Sequence, residues 1–200
     1  LAISVNQNST IIFSELVNSN YIQVMKTYLS GKNINLVELP SKNGKTDLNA
    51  ITKYKNDIAA IIIQSPNRFG IIESWIDVKN KLSNSNALLI AVADPMALSI
   101  LKPPGVCGAD IYVGEGQTLG NPMNYGGPLL GLMAVRDKYK RQMPGRIIGK
   151  TIDNNNEDGF VLTLQTREQH IRREKATSNI CTNQGLLALR ATIYLCLLGK

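Results

Sequence analysis

The chain has 200 residues, of which 44% are hydrophobic and 18% charged, and it carries a net charge of +7. A chain of this length buries a core large enough to fold without disulfides or metals, and its charged fraction is too low for a disordered protein. No apolar run approaches the ~20 residues of a membrane-spanning helix, so we expect no membrane association.

Short apolar segments alternate with amphipathic ones along most of the chain. The offsets of the apolar residues predict a helix over 20–29, which ends at Gly31, and a strand over 34–39. Asp47 is expected to cap a weak helix through Lys55. Six further elements follow in chain order: a strand over 57–63, a helix over 72–82, strands over 87–92, 109–113 and 129–135, and a buried apolar helix over 186–198. Continuously apolar strands joined by helices predict an α/β fold with a parallel sheet covered on both faces.

The cysteines and the basic residues exclude several classes of site. Cys107, Cys181 and Cys196 show no CxxC spacing, so we predict neither a disulfide scaffold nor a metal site, but free thiols in a reducing cytoplasm. The basic residues are spread along the chain and aromatic residues make up only 6% of it, which argues against nucleic acid as a partner.

Ligands of parallel sheets bind beyond the carboxyl ends of the strands, which directs attention to the loops over 64–70, 94–95 and 114–127. Asp94 directly follows a predicted strand. Its carboxylate is suited to hold a cationic ring nitrogen or a metal. The alternative is that Asp94 caps the turn that Pro95 begins.

The glycine-rich segment 114–120 has the spacing GxGxxxG, one residue longer than the dinucleotide fingerprint. Pro122, Gly126, Gly127 and Pro128 then exclude the helix that would meet a pyrophosphate. We therefore predict no dinucleotide site here, but a loop that turns sharply or lies close against another surface.

The segment over 166–184 is the most polar part of the chain. Basic residues come first, and hydroxyl and amide side chains follow before the last helix: Arg167, Arg172, Arg173 and Lys175, then Thr177, Ser178 and Asn179. Such donors at a helix N-terminus suit a phosphate or carboxylate. The alternative is a solvated basic face that ends in an ordinary helix cap. His170, the only histidine, is more often a packed or surface residue than a catalyst.

Several motifs together resemble subunit 1 of the decarboxylating glycine dehydrogenases, the P-protein family of the glycine cleavage system. They are QSPNRFG over 64–70, VADP over 92–95, KPPG over 102–105, GADI over 108–111, GEGQ over 114–117, QMPGR over 142–146 and REQHIRREKATSN over 167–179. The resemblance extends over essentially all 200 residues. It implies the large domain of the pyridoxal-phosphate (PLP) fold type I, the fold of aspartate aminotransferase, with a mostly parallel sheet and helices on both faces.

The same resemblance implies a function shared between two subunits. Subunit 2 is expected to hold PLP through a Schiff-base lysine, and the complex to decarboxylate glycine in the cytoplasm and pass the aminomethyl group to the lipoyl arm of H-protein. The family's subunit is about twice as long as this chain. Since the chain also begins with leucine rather than methionine, we expect a large-domain fragment that lacks an N-terminal segment and a small C-terminal domain.

Residue by residue, the resemblance places Asp94 at the pyridine-binding aspartate and Gln117 at the lysine position. Because a carboxamide cannot form an imine, this chain is expected to hold no PLP covalently. Thr177, supported by Ser178 and Asn179, would reach across the subunit interface to the phosphate of the partner's PLP. A further group would shape the channel for glycine or the lipoyl arm, or form interface ion pairs: Arg167, His170, Arg172 and Arg173.

Two other functions remain open at this point. The chain could be a self-sufficient PLP enzyme whose lysine lies elsewhere, or a structural subunit that takes no part in the site. Under either subunit interpretation, the isolated chain is expected to be inactive.

Overall fold

The computed structural model describes residues 1–54, 57–163, 173–176 and 183–199. The chain divides into two compact units: Ala2–Arg136 together with Gln184–Lys200, and Asp137–Asn183 together with Leu1. In the part of the chain that is described, no helix is long and apolar enough to cross a membrane.

In its described residues, the larger unit contains four α-helices and eight strands. The helices are α1 (Ala2–Asn6), α2 (Ser19–Leu29), α3 (Trp75–Lys81) and α4 (Gly185–Leu198). The strands are β1 (Thr10–Ser14), β2 (Asn35–Leu39), β3 (Ser41–Lys42), β4 (Lys45–Thr46), β5 (Ile58–Gln64), β6 (Leu88–Val92), β7 (Ile111–Glu115) and β8 (Gly131–Val135). Every predicted strand of the sheet is present within a few residues of its expected bounds.

Six of these strands form one sheet in the order β2-β1-β5-β6-β7-β8. The first five are parallel, with Ile62 opposite Ile90 and Ile90 opposite Ile111. The prediction of a mostly parallel sheet is confirmed, and the exception is the last strand, because β8 runs antiparallel to β7. A parallel return needs a crossover, usually a helix, that packs back over the sheet, and residues 116–130 supply only a short 3₁₀ turn at Gly116–Thr118.

The main core lies between one face of the sheet and the helices that cover it. Ile61, Leu89 and Ala91 on this face are fully buried, and Val78 of α3 packs in the same cluster. A 3₁₀-helix at Leu48–Tyr54 replaces the weak α-helix that was predicted there. The continuously apolar strands form because both of their faces are covered.

Helix α2 covers the opposite face of the sheet. Ile22 of α2 packs with Phe13 of β1 and with Val17, so the helices do lie on both faces, as predicted. The helix begins where the side chain of Asn18 accepts a hydrogen bond from the backbone N–H of Asn20, at 2.9 Å.

Helix α4 was predicted to be buried, and that prediction was wrong. Leu187 and Ala191 are buried against Leu119 and Leu130, whereas Leu186 and Leu197 are 73% and 83% exposed. Apolar composition predicts burial only where a second surface is available, and α4 packs in this unit through one face.

A buried ion pair fixes the amino ends of β6 and β7. Asp110 is only 4% exposed, and its Oδ2 accepts hydrogen bonds from Lys79 Nζ at 2.7 Å and from the backbone N–H of Leu89 at 3.1 Å. The GADI motif therefore contributes to the fold at the end of the sheet opposite the ligand-binding loops.

The smaller unit contains a hairpin of β9 (Ile147–Ile152) and β10 (Asp158–Thr163). Its turn is exposed and includes Asn156, which has a φ of 63°. The pair between Lys150 Nζ and Asp158 Oδ2, at 2.7 Å, links the two strands.

Candidate functional site

A cavity of about 260 Å³ opens at the carboxyl ends of β5, β6 and β7. Its lining comes from the three loops that the sequence analysis selected and from α2: Tyr21, Gln64, Val92, Ala93, Asp94, Gly114, Glu115, Gln117 and Thr118. The cavity lies where a parallel sheet is expected to bind its ligand.

The carboxylate of Asp94 is held by one oxygen and open at the other. Oδ1 accepts hydrogen bonds from the backbone N–H of Met96 at 2.8 Å and from Thr118 Oγ1 at 3.0 Å. Within the described residues no donor reaches Oδ2. Asp94 therefore caps the turn before Met96, as one interpretation predicted, and still presents a free oxygen that can pair with a cationic group.

Glu115 holds the turn that carries Gln117. Its Oε1 accepts hydrogen bonds from the backbone N–H of Gln117 at 3.0 Å and of Leu130 at 2.8 Å. Gln117 is half-buried, and no hydrogen bond to its carboxamide is found in the described part of the chain. Among the described residues, the carboxamide is positioned at the cavity through the backbone of its turn.

The glycines of the loop lie against neighbouring groups, as the sequence analysis predicted. A Cβ at Gly114 would meet the Tyr112 hydroxyl and the carbonyl oxygen of Ala93. Gly120 has a φ of +77°, and a Cβ there would fall 2.8 Å from the side chain of Tyr194. Position 114 must be glycine because neighbouring groups approach its backbone closely. Position 120 must be glycine because its φ is left-handed and because Tyr194 of α4 leaves no room for a side chain.

Gln64, the last residue of β5, is positioned by a contact with the start of α2. Its Oε1 accepts a hydrogen bond from the backbone N–H of Asn18 at 2.8 Å. Beyond it, the buried carboxylate of Glu73 accepts hydrogen bonds from the backbone N–H of Thr46 at 3.0 Å and from Asn67 Nδ2 at 3.1 Å. The QSPNRFG motif therefore keeps the carboxyl end of β5 in place beside the cavity.

The cavity is electronegative. Burial raises the pKa of Tyr21 above its usual value, and the charges of Glu115 and Asp94 raise it further. Burial also raises the pKa of Tyr112, with a further contribution from Asp94. Negative charge disfavours a phenolate. Asp94 therefore raises the pKa of both tyrosines, and Glu115 raises the pKa of Tyr21.

Most of the predicted binding residues lie outside the described residues: Arg167, His170, Arg172, Thr177, Ser178 and Asn179. Arg173 is described, and it is exposed in a 3₁₀ turn at Arg173–Lys175 of the smaller unit. The sequence analysis gave no role to Tyr21 or Glu115. The position of Glu115 directly at the end of a strand was a signal for it, whereas Tyr21 looked only like part of a helix face.

The family model for the glycine cleavage system P-protein matches residues 1–200. The chain belongs to the P-protein family. The curated relatives include proteins named probable glycine dehydrogenase (decarboxylating) subunit 1. That of Moorella thermoacetica is 49% identical over 201 aligned residues, and that of Desulforamulus reducens is 50% identical. Each match covers 100% of this chain and 45% of the relative. The chain therefore spans about half the length of these relatives.

Solved structures agree with this membership. The chain superimposes with a TM-score of 0.92 and 41% identity on a crystal structure of glycine decarboxylase (P-protein) in inhibitor-bound form, over 99% of this chain and 45% of that one. A NifS-like protein matches with a TM-score of 0.55 and 20% identity over 68% of this chain and 38% of its own, which shows the fold alone. The fold is the PLP fold type I, as the resemblance implied.

The fold is that of PLP-dependent enzymes, but the described residues that line the cavity do not include the lysine that covalently held PLP requires. PLP is held by a lysine, by an acidic or basic partner for its ring nitrogen, and by donors to its phosphate. Asp94 meets the second requirement. Of the described residues that line the cavity, none is a lysine or an arginine.

The two raised tyrosine pKa values give a direct test of the cavity's field. Asp94→Asn should lower the pKa of both Tyr21 and Tyr112, because its charge acts on both, whereas Glu115→Gln should lower that of Tyr21 only. NMR titration of ring-labelled tyrosines measures this. Glu38→Gln, on the exposed side of β2, is the matched control and should change neither. Unchanged values in Asp94→Asn would contradict the described field.

Proposed function

We propose that this chain is part of the non-lysine subunit of a two-subunit P-protein, which completes an active site whose PLP is held by subunit 2. The observation that carries the proposal is the cavity at the carboxyl edge of the sheet. It presents carboxylates and carboxamides, with Gln117 on the turn where a Schiff-base lysine would be needed. A carboxamide cannot replace that lysine, because its nitrogen lone pair is delocalised into the carbonyl.

The names of the relatives support a function that is shared between two subunits. They are called subunit 1 of a decarboxylating glycine dehydrogenase, which implies a second subunit. We infer that the complex decarboxylates glycine, with PLP in subunit 2 as the electron sink, and transfers the aminomethyl group to the lipoyl arm of H-protein. Residues 1–200 are part of the large domain of subunit 1 in this proposal, and the isolated chain has no activity.

The role of this chain is to supply groups at the subunit interface. Thr177 donates to the phosphate of the partner's PLP, with Ser178 and Asn179 supporting the turn. The basic residues that precede them shape the channel for glycine or the lipoyl arm: Arg167, His170, Arg172 and Arg173. We place the complex in the cytoplasm, as the resemblance implies.

Borohydride reduction of the assembled two-subunit enzyme in the presence of PLP tests the absence of covalent chemistry in this chain. Peptide mapping should find a stoichiometric pyridoxyl adduct on one lysine of subunit 2 and none on subunit 1. A stoichiometric adduct on any single lysine of subunit 1 would show that the chain is a self-sufficient PLP enzyme.

Thr177→Ala in the assembled enzyme tests the contact across the interface. Loss of a hydrogen bond to a charged phosphate should weaken PLP retention by about 1.5–3 kcal/mol, measured as the PLP dissociation constant. Thr177→Ser keeps the hydroxyl and should retain PLP nearly as well as the unsubstituted enzyme. If Thr177→Ala alters assembly but leaves PLP affinity unchanged, the subunit is structural and the contact does not exist.

A further inference from the structure

We propose that Glu115 is a second barrier to PLP in this chain's own cavity, one that acts through charge and is independent of the missing lysine. The inference rests on the proposed function, in which PLP belongs to subunit 2 alone. It extends that function by naming the residue that excludes phosphate esters from the cavity of subunit 1.

The described lining of the cavity carries negative charge. Asp94 and Glu115 both line it, and no lysine or arginine is found among its described lining residues. Asp94 could be neutralised by a protonated ring nitrogen, since its Oδ2 is open. Glu115 has no such counterpart in PLP, whose phosphate carries a charge of about −2.

The carboxylate of Glu115 is fixed in place. Glu115 Oε1 accepts the backbone N–H groups of Gln117 and Leu130 at 3.0 and 2.8 Å. These two bonds hold the turn at the cavity, so the carboxylate cannot swing away without releasing the turn. A ligand with a phosphate would have to enter beside a carboxylate whose position the turn fixes.

The charge of Glu115 acts on a side chain that lines the cavity. Tyr21 lines the cavity from α2, and after burial the charge of Glu115 contributes most to raising the pKa of this tyrosine, ahead of Asp94. A phosphate in the same space would experience the same repulsion that disfavours the phenolate, and repulsion between like charges lowers its affinity.

The test restores the lysine and then removes the charge. Full-length subunit 1 carrying Gln117→Lys, assembled with subunit 2, is titrated with PLP at low salt and reduced with borohydride, and the pyridoxyl group at position 117 is quantified by peptide mapping. Gln117→Lys alone should be labelled only at high PLP concentration. Adding Glu115→Gln should lower the PLP concentration for half-labelling about tenfold, the scale of removing one nearby charge at intermediate dielectric.

Three controls distinguish an effect of the Glu115 charge from a structural effect of the substitution: a charge variant outside the cavity, high salt and pyridoxal. Glu115→Gln keeps an acceptor oxygen for the turn. Glu38→Gln combined with Gln117→Lys removes one exposed charge on β2, which does not line the cavity, and should leave labelling unchanged. In about 1 M salt, where the screening length is ~3 Å, the advantage of Glu115→Gln should largely disappear. Pyridoxal, which lacks the phosphate, should label position 117 almost equally with and without Glu115→Gln.

Equal PLP labelling of the single and double variants, or an advantage that salt does not reduce, would overturn the role of Glu115 and leave the proposed function intact. An adduct on the unsubstituted chain would overturn the proposed function itself. If Gln117→Lys fails to fold, Glu115→Gln alone decides the matter. Added PLP should then shift the NMR signal of the Tyr21 ring at concentrations that leave the unsubstituted enzyme unchanged, and the absence of this shift would contradict the inference.

Discussion

The parallel packing of β5, β6 and β7 is the constraint on which the site depends. Ile61, Leu89 and Ala91 are fully buried, and their register places the carboxyl ends of neighbouring strands side by side. Gln64 and Asp94 end or follow two of these strands, and Glu115 ends the third. The burial of apolar side chains therefore gathers polar groups that are distant in sequence at one edge of the sheet.

The turn after β7 is fixed from two directions. Glu115 holds it through the backbone N–H groups of Gln117 and Leu130. Helix α4 holds its far end, where the Arg190 guanidinium donates to the carbonyl oxygen of Gly120 at 3.2 Å and Tyr194 leaves no room for a side chain at Gly120. A rigid turn that presents a carboxamide suits a subunit that retains the architecture of a PLP enzyme without its covalent step.

The sequence allowed the α/β class, the strands and the loops of the site to be predicted, because each rests on local patterns. The β-branched run over 58–63 requires a strand with both faces covered, and Asp94 follows a strand directly. The direction of β8 and the exposure of α4 could not be predicted in this way. Both depend on which surfaces lie nearby, and the apolar composition of a segment does not specify them.

The same distinction applies to the cavity. The sequence identified the loops that meet there, but Tyr21 enters it from a helix whose periodicity indicates only packing, and the two hydrogen bonds that Glu115 accepts depend on the approach of Leu130. A tertiary contact of this kind has no signature in a single chain. The residues predicted to face the partner, from Arg167 to Asn179, lie mostly outside the described residues, and their roles remain proposals.

In the proposed function, a chain with the fold of a PLP enzyme carries Gln117 where the cofactor would need a lysine. The most direct measurement is the PLP content of the purified, cofactor-saturated complex of the two full-length subunits. The account predicts one PLP for each pair of unlike subunits. Two PLP molecules for each pair, with one released from subunit 1 only after the covalent bond is broken, would contradict it.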